Sequence, residues 1–235
     1  MSVAVCLSGQ TRTIDQCVDS LIKYIVEPLK ADVFFHFWSD SYVPFQYYKS
    51  WYQMSEVPNW PDFDDSLAIE IINKLRPKKF LIQPQIWFDD TCFSNVCTPE
   101  NSRMQALNYQ HPLCMFYGIS RVNHLKSIWE RKYNIRYDYV IRARPDLLFH
   151  DFIHEDLLKD TSKVYIPKEH GYGGYNDQFA FSCSENMNKY ADTYEFIPQY
   201  FANGGNFHPE TILRRNIDQY NLPVIGIEEN YKILR

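Results

Sequence analysis

The sequence predicts a single α/β domain in which helices flank a Rossmann-like, mostly parallel central sheet. Short apolar runs alternate along the chain with longer segments whose apolar residues recur at helical spacing. This alternation is the order expected of β-α-β units. Neither an internal repeat nor a linker-like stretch interrupts the 235 residues, so residues 1–235 are expected to form one domain.

The first half of the chain contains three predicted strands and two predicted helices. Residues 3–8 form a short apolar run, which is typical of a buried parallel strand. The apolar residues of 14–29 recur with a helical period and predict a helix. Residues 32–38 and 79–83 are the next two strands, and an aspartate at the start of 64–75 is placed to cap the helix between them.

The second half begins with a long predicted helix over 116–133, followed by a strand over 137–143. Shorter strands are predicted at 163–166 and 178–182, on either side of a loop rich in Gly and Tyr. The remaining predicted elements are a helix over 187–201, a helix that begins at Pro209 and a last strand near Val224.

The composition is that of an ordinary globular protein, with 45% hydrophobic and 23% charged residues, which excludes a disordered chain. The chain carries 24 basic and 29 acidic residues, a net charge of −5. A protein that coats nucleic acid with a basic surface is therefore not expected. Aromatic residues are abundant, at 17%, and suit both a thick core and a cleft that stacks on a ligand.

We expect the protein in the cytoplasm, or bound peripherally at a membrane surface, with its six cysteines reduced. The cysteines are scattered, none forms a CxxC pair, and no His cluster accompanies them as a zinc site requires. The apolar start of the chain has no basic residue before it and soon reaches Arg12 and Asp15, unlike a signal peptide. No stretch of the sequence predicts a transmembrane helix.

Polar segments follow three predicted strands, and ligands of parallel α/β sheets bind at the carboxyl ends of the strands. The first segment contains Ser8, Gly9, Gln10 and Arg12 at a strand-turn-helix junction. Here a glycine allows close backbone approach, the helix start offers N–H groups, and Arg12 adds positive charge. Together these features suit a phosphate group. The alternative is a tight turn with a solvated arginine.

Arg142, Arg144 and Asp146 lie within five residues at the end of the fourth predicted strand. Asp146 is a candidate ligand for a divalent cation that bridges a diphosphate, and the two arginines are candidates to neutralise the remaining phosphate oxygens. Residues 121–144 carry seven basic and two acidic side chains, which supports an anionic ligand. The alternative is that Arg142 pairs internally with Asp146 or Asp138.

Three further residues are candidates for the same site. Asp40 lies directly after the second predicted strand and is a candidate contact for the donor. Asp177 follows a Gly-rich loop, where a carboxylate can take a proton from an acceptor hydroxyl; the alternative is a turn aspartate. His208 lies at a helix start as a candidate metal ligand or phosphate contact; the alternative is a helix cap.

Four stretches make the chain resemble one family. They are SGQTR after the first strand, ADVFFHFW in the second, YDYVIRARPDL at the fourth, and YNDQFAFS before a helix. In these stretches the chain is similar to the GT-A-like, nucleotide-sugar-dependent glycosyltransferases of bacterial surface-polysaccharide clusters and large viruses. The resemblance covers nearly the whole chain, and RxRPD is its most specific part. The GxGxxG, P-loop, HExxH and GxSxG motifs are absent from the sequence.

The resemblance implies a GT-A fold, a nucleotide-diphospho-sugar donor and a glycan acceptor, free or linked to lipid or protein. It also implies a divalent cation, Mn²⁺ or Mg²⁺, held by an acidic motif whose last position is Asp146. Arg144 stands where that motif has its first Asp, and an arginine there can replace part of the cation's work. Asp177 stands where an acceptor-side carboxylate is expected. Residues 1–146 would form the nucleotide-binding half, and residues 147–235 the acceptor-side half.

Two other classes of function fit parts of the sequence. A sulfotransferase also uses a Ser-Gly turn for its nucleotide phosphosulfate, but normally has a basic residue directly before the turn, where this chain has Cys6 and Leu7. A carbohydrate-binding module without catalysis would use the Tyr- and Trp-rich loop over 42–60 to stack on sugars. Such a module would not need the Arg and Asp residues at the strand end.

Overall fold

The computed structural model describes residues 1–39, 63–86, 88, 110–206 and 208–234. Asp40 and the aromatic loop over 42–60 lie outside these ranges. Within them the chain has the α/β architecture that the sequence predicts. A mostly parallel sheet of seven strands is flanked by helices on both faces, which is compatible with a Rossmann-like fold.

Nine strands are present in the described part of the chain. Their bounds are β1 Val3–Gln10, β2 Asp32–Trp38, β3 Lys79–Gln83, β4 Tyr139–Ala143, β5 Leu147–Phe149, β6 Val164–Pro167, β7 Phe179–Ser182, β8 Val224–Ile227 and β9 Tyr231–Ile233. The central sheet has the order β3-β2-β1-β4-β7-β6-β8, and only β7 runs antiparallel to its neighbours β4 and β6. The carboxyl ends of β1, β2 and β4 therefore meet the amino end of β7 at one edge of the sheet.

The helices cover both faces of this sheet. Their bounds are α1 Ile14–Leu21, which continues through a π-helical turn Ile22–Val26 and a last turn Glu27–Leu29, then α2 Asp65–Leu75, α3 Gln110–Tyr133, α4 Ser184–Ala191, α5 Thr193–Ala202 and α6 Pro209–Gln219. Helices α1 and α2 pack on one face, and α3 to α6 pack on the other. The Asp64 side chain caps α2 as the sequence predicts, because it accepts a hydrogen bond from the Leu67 N–H at 2.9 Å.

The character of each face follows from the alternation of side chains along the strands. In β1, Val5 and Leu7 join the core under α1 and α2, whereas Cys6 joins the core under α3. The parallel register places Arg142 of β4 beside Cys6, and Ser8 is the next residue of β1 on the same face. This face is therefore apolar in the middle of the sheet and polar at the carboxyl ends of its strands.

Local features differ from the sequence prediction. The helix predicted over 187–201 is two helices, α4 and α5, which meet at Asp192. β5 and β9 pair with each other in a small antiparallel sheet that the sequence pattern did not indicate, because strands of three residues show no measurable period. No helix in the described ranges has both the length and the apolar character needed to cross a membrane.

Candidate functional site

A cavity of about 510 Å³ opens at the edge of the sheet where β1 and β4 end and β7 begins. This volume is in the range of small-molecule binding sites. The structure brings eight of the predicted site residues to its wall. They are Ser8, Gly9, Gln10, Arg12, Arg142, Arg144, Asp146 and Asp177.

The turn after β1 is held by side-chain contacts on both sides. Gln10 Oε1 accepts a hydrogen bond from Arg12 Nε at 2.9 Å, and Gln10 Nε2 donates one to Gln85 Oε1 at 3.1 Å. Gly9 has a φ of +142°, and a Cβ at this position would lie 3.2 Å from Cδ of Pro145. The glycine therefore lets the segment after β4 approach the β1 turn closely, and it presents Arg12 next to Asp146.

Asp146 lies between two arginines. Arg144 donates to it in a two-pronged manner, from Nε to Oδ1 at 2.9 Å and from Nη2 to Oδ2 at 2.5 Å. Arg12 Nη1 lies 3.7 Å from the same Oδ2. The Asp146 side chain is only 2% exposed. Its backbone is also held, because the carbonyl of Asp146 accepts a hydrogen bond from the Leu234 N–H at 3.0 Å. The sequence left open that Arg142 pairs with Asp146. In the structure, Arg144 and Arg12 are the arginines that contact Asp146.

Arg142 forms no comparable bond to a carboxylate among the described residues. It is 2% exposed, and none of its three guanidinium nitrogens forms a hydrogen bond with the described residues. Its cross-strand neighbours are the apolar Cys6 and Ala180. Burial lowers the pKa of Arg142, against the opposing effects of Tyr190 and Asp177, but a guanidinium stays protonated in proteins. A buried charge without a partner is costly, so this side chain has the character of a ligand-binding residue.

Asp177 also lines the cavity, and it lies just before β7, the strand that pairs with β4. Its exposure is 8%, and within the described ranges its carboxylate makes no hydrogen bond or ion pair. The neighbouring Asn176 holds the chain in place, because its Oδ1 accepts from the Gln178 N–H at 2.7 Å and its Nδ2 donates to the Glu169 carbonyl at 2.9 Å. The carboxylate is therefore positioned by its neighbours, and Asp177 is part of the cavity lining.

The Gly-rich loop before Asp177 is fixed to the start of α6. Gly174 lies so close to this helix that a Cβ would be 2.0 Å from the Glu210 carbonyl oxygen. The Tyr175 N–H donates to that same oxygen at 3.0 Å. Only glycine permits this approach, so the loop position depends on Gly174 and in turn sets where Asp177 lies.

Glu210 is a site residue that sequence reasoning missed. It lines the cavity, and its Oε2 is buried without a hydrogen bond in the described structure. Burial, together with the nearby charge of Asp177, raises the pKa of Glu210 to about 8. A Glu directly after Pro in the first turn of a helix is a common pattern, so the sequence contains no indication that Glu210 lines the cavity.

His208 caps α6, which is the alternative considered for it in the sequence. Its Nδ1 accepts from the Thr211 N–H at 3.4 Å and lies 3.4 Å from Oε2 of Glu210. Burial lowers the pKa of His208, against the opposing effect of Asp177. His208 is not among the residues that line the cavity, whereas the next two residues, Pro209 and Glu210, are.

The surroundings of Asp146 do not fit a divalent cation. Both carboxylate oxygens are already bonded by Arg144, and a cation would lie beside the positive charges of Arg144 and the buried Arg12. Nδ1 of His208, the second predicted ligand, is used as a helix cap. No group of three His, Cys, Asp or Glu side chains in the described ranges is arranged to hold a metal ion.

Fold and cavity together define an α/β protein with a cavity lined by charged residues at the strand ends of its sheet. A scan against models of known protein families and a search of curated proteins both found no match. The function is therefore argued from the chemistry of the cavity. Its basic wall consists of Arg12, Arg142, Arg144 and Asp146 at the ends of β1 and β4, and its acidic wall consists of Asp177 and Glu210 on a loop and at a helix start.

Proposed function

We propose that the chain is a glycosyltransferase that moves a sugar from a nucleotide-diphospho-sugar to a hydroxyl of a glycan acceptor. The observation that supports this most is the buried guanidinium of Arg142, which has no partner among the described residues and lies in the wall of the cavity. An anionic ligand is the group that such a side chain accommodates best. The sequence resemblance to GT-A-like glycosyltransferases supports the same class.

The basic wall suits the diphosphate of the donor. Arg12, Arg142 and Arg144 all line the cavity, and a guanidinium binds phosphate oxygens through two parallel N–H groups. Trp38 and Met115 line the apolar part of the cavity beyond Gln10, where the uncharged parts of a nucleotide-sugar can be buried. Ser8 adds a hydroxyl whose oxygen is buried without a hydrogen bond in the described structure.

The acidic wall suits the acceptor hydroxyl. In the proposed reaction the acceptor oxygen forms a bond to the anomeric carbon, and the bond from that carbon to the diphosphate oxygen breaks. Asp177 takes the proton of the hydroxyl, and the arginines neutralise the negative charge on the departing nucleoside diphosphate. A base on the face opposite the leaving group makes the transfer inverting.

The proposal assigns the donor to the half formed by residues 1–146 and the acceptor to the half formed by residues 147–235, within a GT-A fold. It places the enzyme in the cytoplasm or peripherally at a membrane surface. Four of the described cysteines (Cys6, Cys17, Cys114 and Cys183) are free thiols, which is usual in a reducing compartment.

A thermal-shift screen tests the proposal. The chain is mixed in turn with UDP-, GDP-, CMP- and dTDP-sugars and with a nucleotide phosphosulfate, and its melting temperature is measured. We expect one of the diphospho-sugars to raise the melting temperature, because a ligand that binds only the native state stabilises it. Stabilisation by the phosphosulfate alone would favour a sulfotransferase, and stabilisation by free oligosaccharides alone would favour a binding module.

A further inference from the structure

Asp146 connects two of the three arginines of the basic wall. Arg144 binds both of its oxygens, and Arg12 lies 3.7 Å from one of them. Arg12 is held from its other side by Gln10, at 2.9 Å. The carboxylate is thus placed to set the positions of both guanidinium groups, which line the same cavity as Arg142.

The charge of this wall is opposite in sign to that of the proposed ligand. Among the described residues that form the wall, Arg12, Arg142 and Arg144 are positive and Asp146 is negative. The diphosphate of a nucleotide-sugar carries two negative charges at neutral pH, which a divalent cation offsets in enzymes that use one. Here guanidinium groups are placed to offset them.

We propose that the donor diphosphate binds to Arg12, Arg142 and Arg144 without a divalent cation, and that Asp146 is a positioning residue for Arg144 and Arg12. This inference rests on the proposed function and replaces the metal role predicted for Asp146. Arg144 takes the place of the first Asp of the expected acidic motif, and its bond to Asp146 removes the last Asp from metal binding. The arginine at this position thereby changes the chemistry of the motif.

The first test measures binding of UDP, GDP, dTDP and inorganic pyrophosphate to the full chain by calorimetry. One series uses metal-stripped buffer with EDTA, and the other contains Mn²⁺ or Mg²⁺. We expect the affinity for the best of these ligands to agree within about twofold between the two series, since the charge-assisted bonds come from arginines. Binding that requires the cation overturns this inference but leaves the proposed function intact.

If none of these ligands binds in either series, the proposed function is wrong, and this inference is wrong with it. The two results are therefore distinguishable. The wild-type chain is sufficient for this test, so its outcome does not depend on whether any variant folds.

A double-mutant cycle tests the positioning role of Asp146. Asp146→Asn is expected to weaken pyrophosphate or nucleotide binding about tenfold in the wild-type chain. In an Arg144→Ala background the loss should fall to about threefold or less, because only the longer contact with Arg12 remains. A merely structural role predicts the same loss in both backgrounds, and that result would overturn the positioning role. Asp138→Asn is the matched control. This aspartate directly precedes the first residue of β4, at the opposite end of the strand from Asp146, and its side chain is 54% exposed.

Discussion

The two walls of the cavity hold their charges in opposite ways. On the basic wall, Asp146 binds Arg144 at 2.5 and 2.9 Å and lies 3.7 Å from Arg12. On the acidic wall, neither Asp177 nor Glu210 forms an ion pair with an arginine or lysine among the described residues. Glu210 Oε2 lies 3.4 Å from Nδ1 of His208, and burial raises the pKa of Glu210 to about 8. One wall is therefore arranged before a ligand arrives, whereas the other keeps carboxylate oxygens available to the cavity.

The difference corresponds to two kinds of chemistry. Holding a diphosphate requires donors fixed in advance, and β1, β4 and the turns that follow them provide rigid positions. Taking a proton requires an acceptor that is not already neutralised, and Asp177 on its tethered loop meets that requirement. Arg142 belongs to the basic wall but forms no hydrogen bond with the described residues, so we assign it the most direct contact with the ligand.

The largest expected effect is on the acidic wall. Asp177→Asn should lower the transfer rate by about 10²- to 10⁴-fold, the usual contribution of a general base. The donor affinity should stay nearly unchanged, because the base contacts only the acceptor hydroxyl. Transfer from the donor identified by the screen, followed by chromatography of the product, measures the rate, and calorimetry measures the affinity.

Asp156→Asn is the control for Asp177→Asn, because the Asp156 side chain is 86% exposed and forms a surface ion pair with Lys159. If Asp177→Asn loses donor binding instead of turnover, Asp177 contacts the donor and is not the base. Retention of the anomeric configuration, determined by NMR of the product, would exclude its role as base.

On the basic wall, Arg12→Ala should weaken nucleotide binding by roughly 1.5–3 kcal/mol, the usual value of a charge-assisted contact. This corresponds to an affinity loss of about 10- to 150-fold. Calorimetry measures the loss, and Arg136→Ala is the control because that side chain is 65% exposed. Equal affinity of Arg12→Ala and wild type would remove Arg12 from the ligand contacts and weaken the distinction between the walls.

Gly174→Ala should displace the loop that carries Asp177 from the start of α6. The new Cβ would meet the Glu210 carbonyl oxygen at 2.0 Å, so the loop must move. Overpacking of this kind costs about 1–3 kcal/mol of unfolding free energy, and the displaced Asp177 should also lower turnover. Denaturant unfolding and the transfer assay measure both effects.

Gly173→Ala is the comparison for that loop variant. Gly173 has a φ of +90° and open space around its Cβ position, so alanine adds backbone strain without a clash. If the two variants have the same turnover and stability, the close approach at Gly174 does not position the wall.

The smallest expected effect is the pH dependence that Glu210 adds to stability. Folding raises its pKa from 4.5 to about 8, so the native state binds a proton more tightly than the unfolded chain. The stabilisation is complete below pH 4.5 and is lost as the pH rises towards 8. Denaturant unfolding between pH 5 and 8 should show wild type losing at least about 1 kcal/mol relative to Glu210→Gln.

His208 lies 3.4 Å from Glu210 and remains in that comparison, so its own titration cancels to first order. Burial lowers the pKa of His208, which gives stability the opposite dependence on pH. Parallel pH profiles for wild type and Glu210→Gln would show that Glu210 does not hold a proton at neutral pH.

The sequence predicted the sheet and the basic wall well, and for the same physical reason. Strands are recognised in the sequence as short segments that are either continuously apolar or alternately apolar and polar. The polar residues that end such segments, such as Ser8 and Arg142, are then expected at the ends of the strands. Asp177 was chosen because it comes just before a buried strand; the structure places it in the lining of the cavity, and its role as a base stays a prediction. These signals are local, so one sequence is enough to detect them.

The contacts between distant segments were not predictable in this way. The pairing of Arg144 and Arg12 with Asp146 depends on Gly9 and Pro145 packing across the β1–β4 junction. Glu210 enters the cavity because α6 packs on the Gly174 loop, and neither segment indicates the other. Asp40 lies outside the described residues, so its predicted donor contact stays a prediction.

The most direct test of the central claim, that Arg142 is kept for an anionic ligand, is one variant measured in two ways. Arg142→Met preserves the bulk of the side chain and removes its buried charge. We predict that nucleotide or pyrophosphate affinity falls by about 10- to 150-fold while the free energy of unfolding rises by about 1 kcal/mol or more, because a buried charge that forms no hydrogen bond with the described residues is removed. Unchanged affinity together with a lower unfolding free energy would contradict the claim, since Arg142 would then be a structural residue.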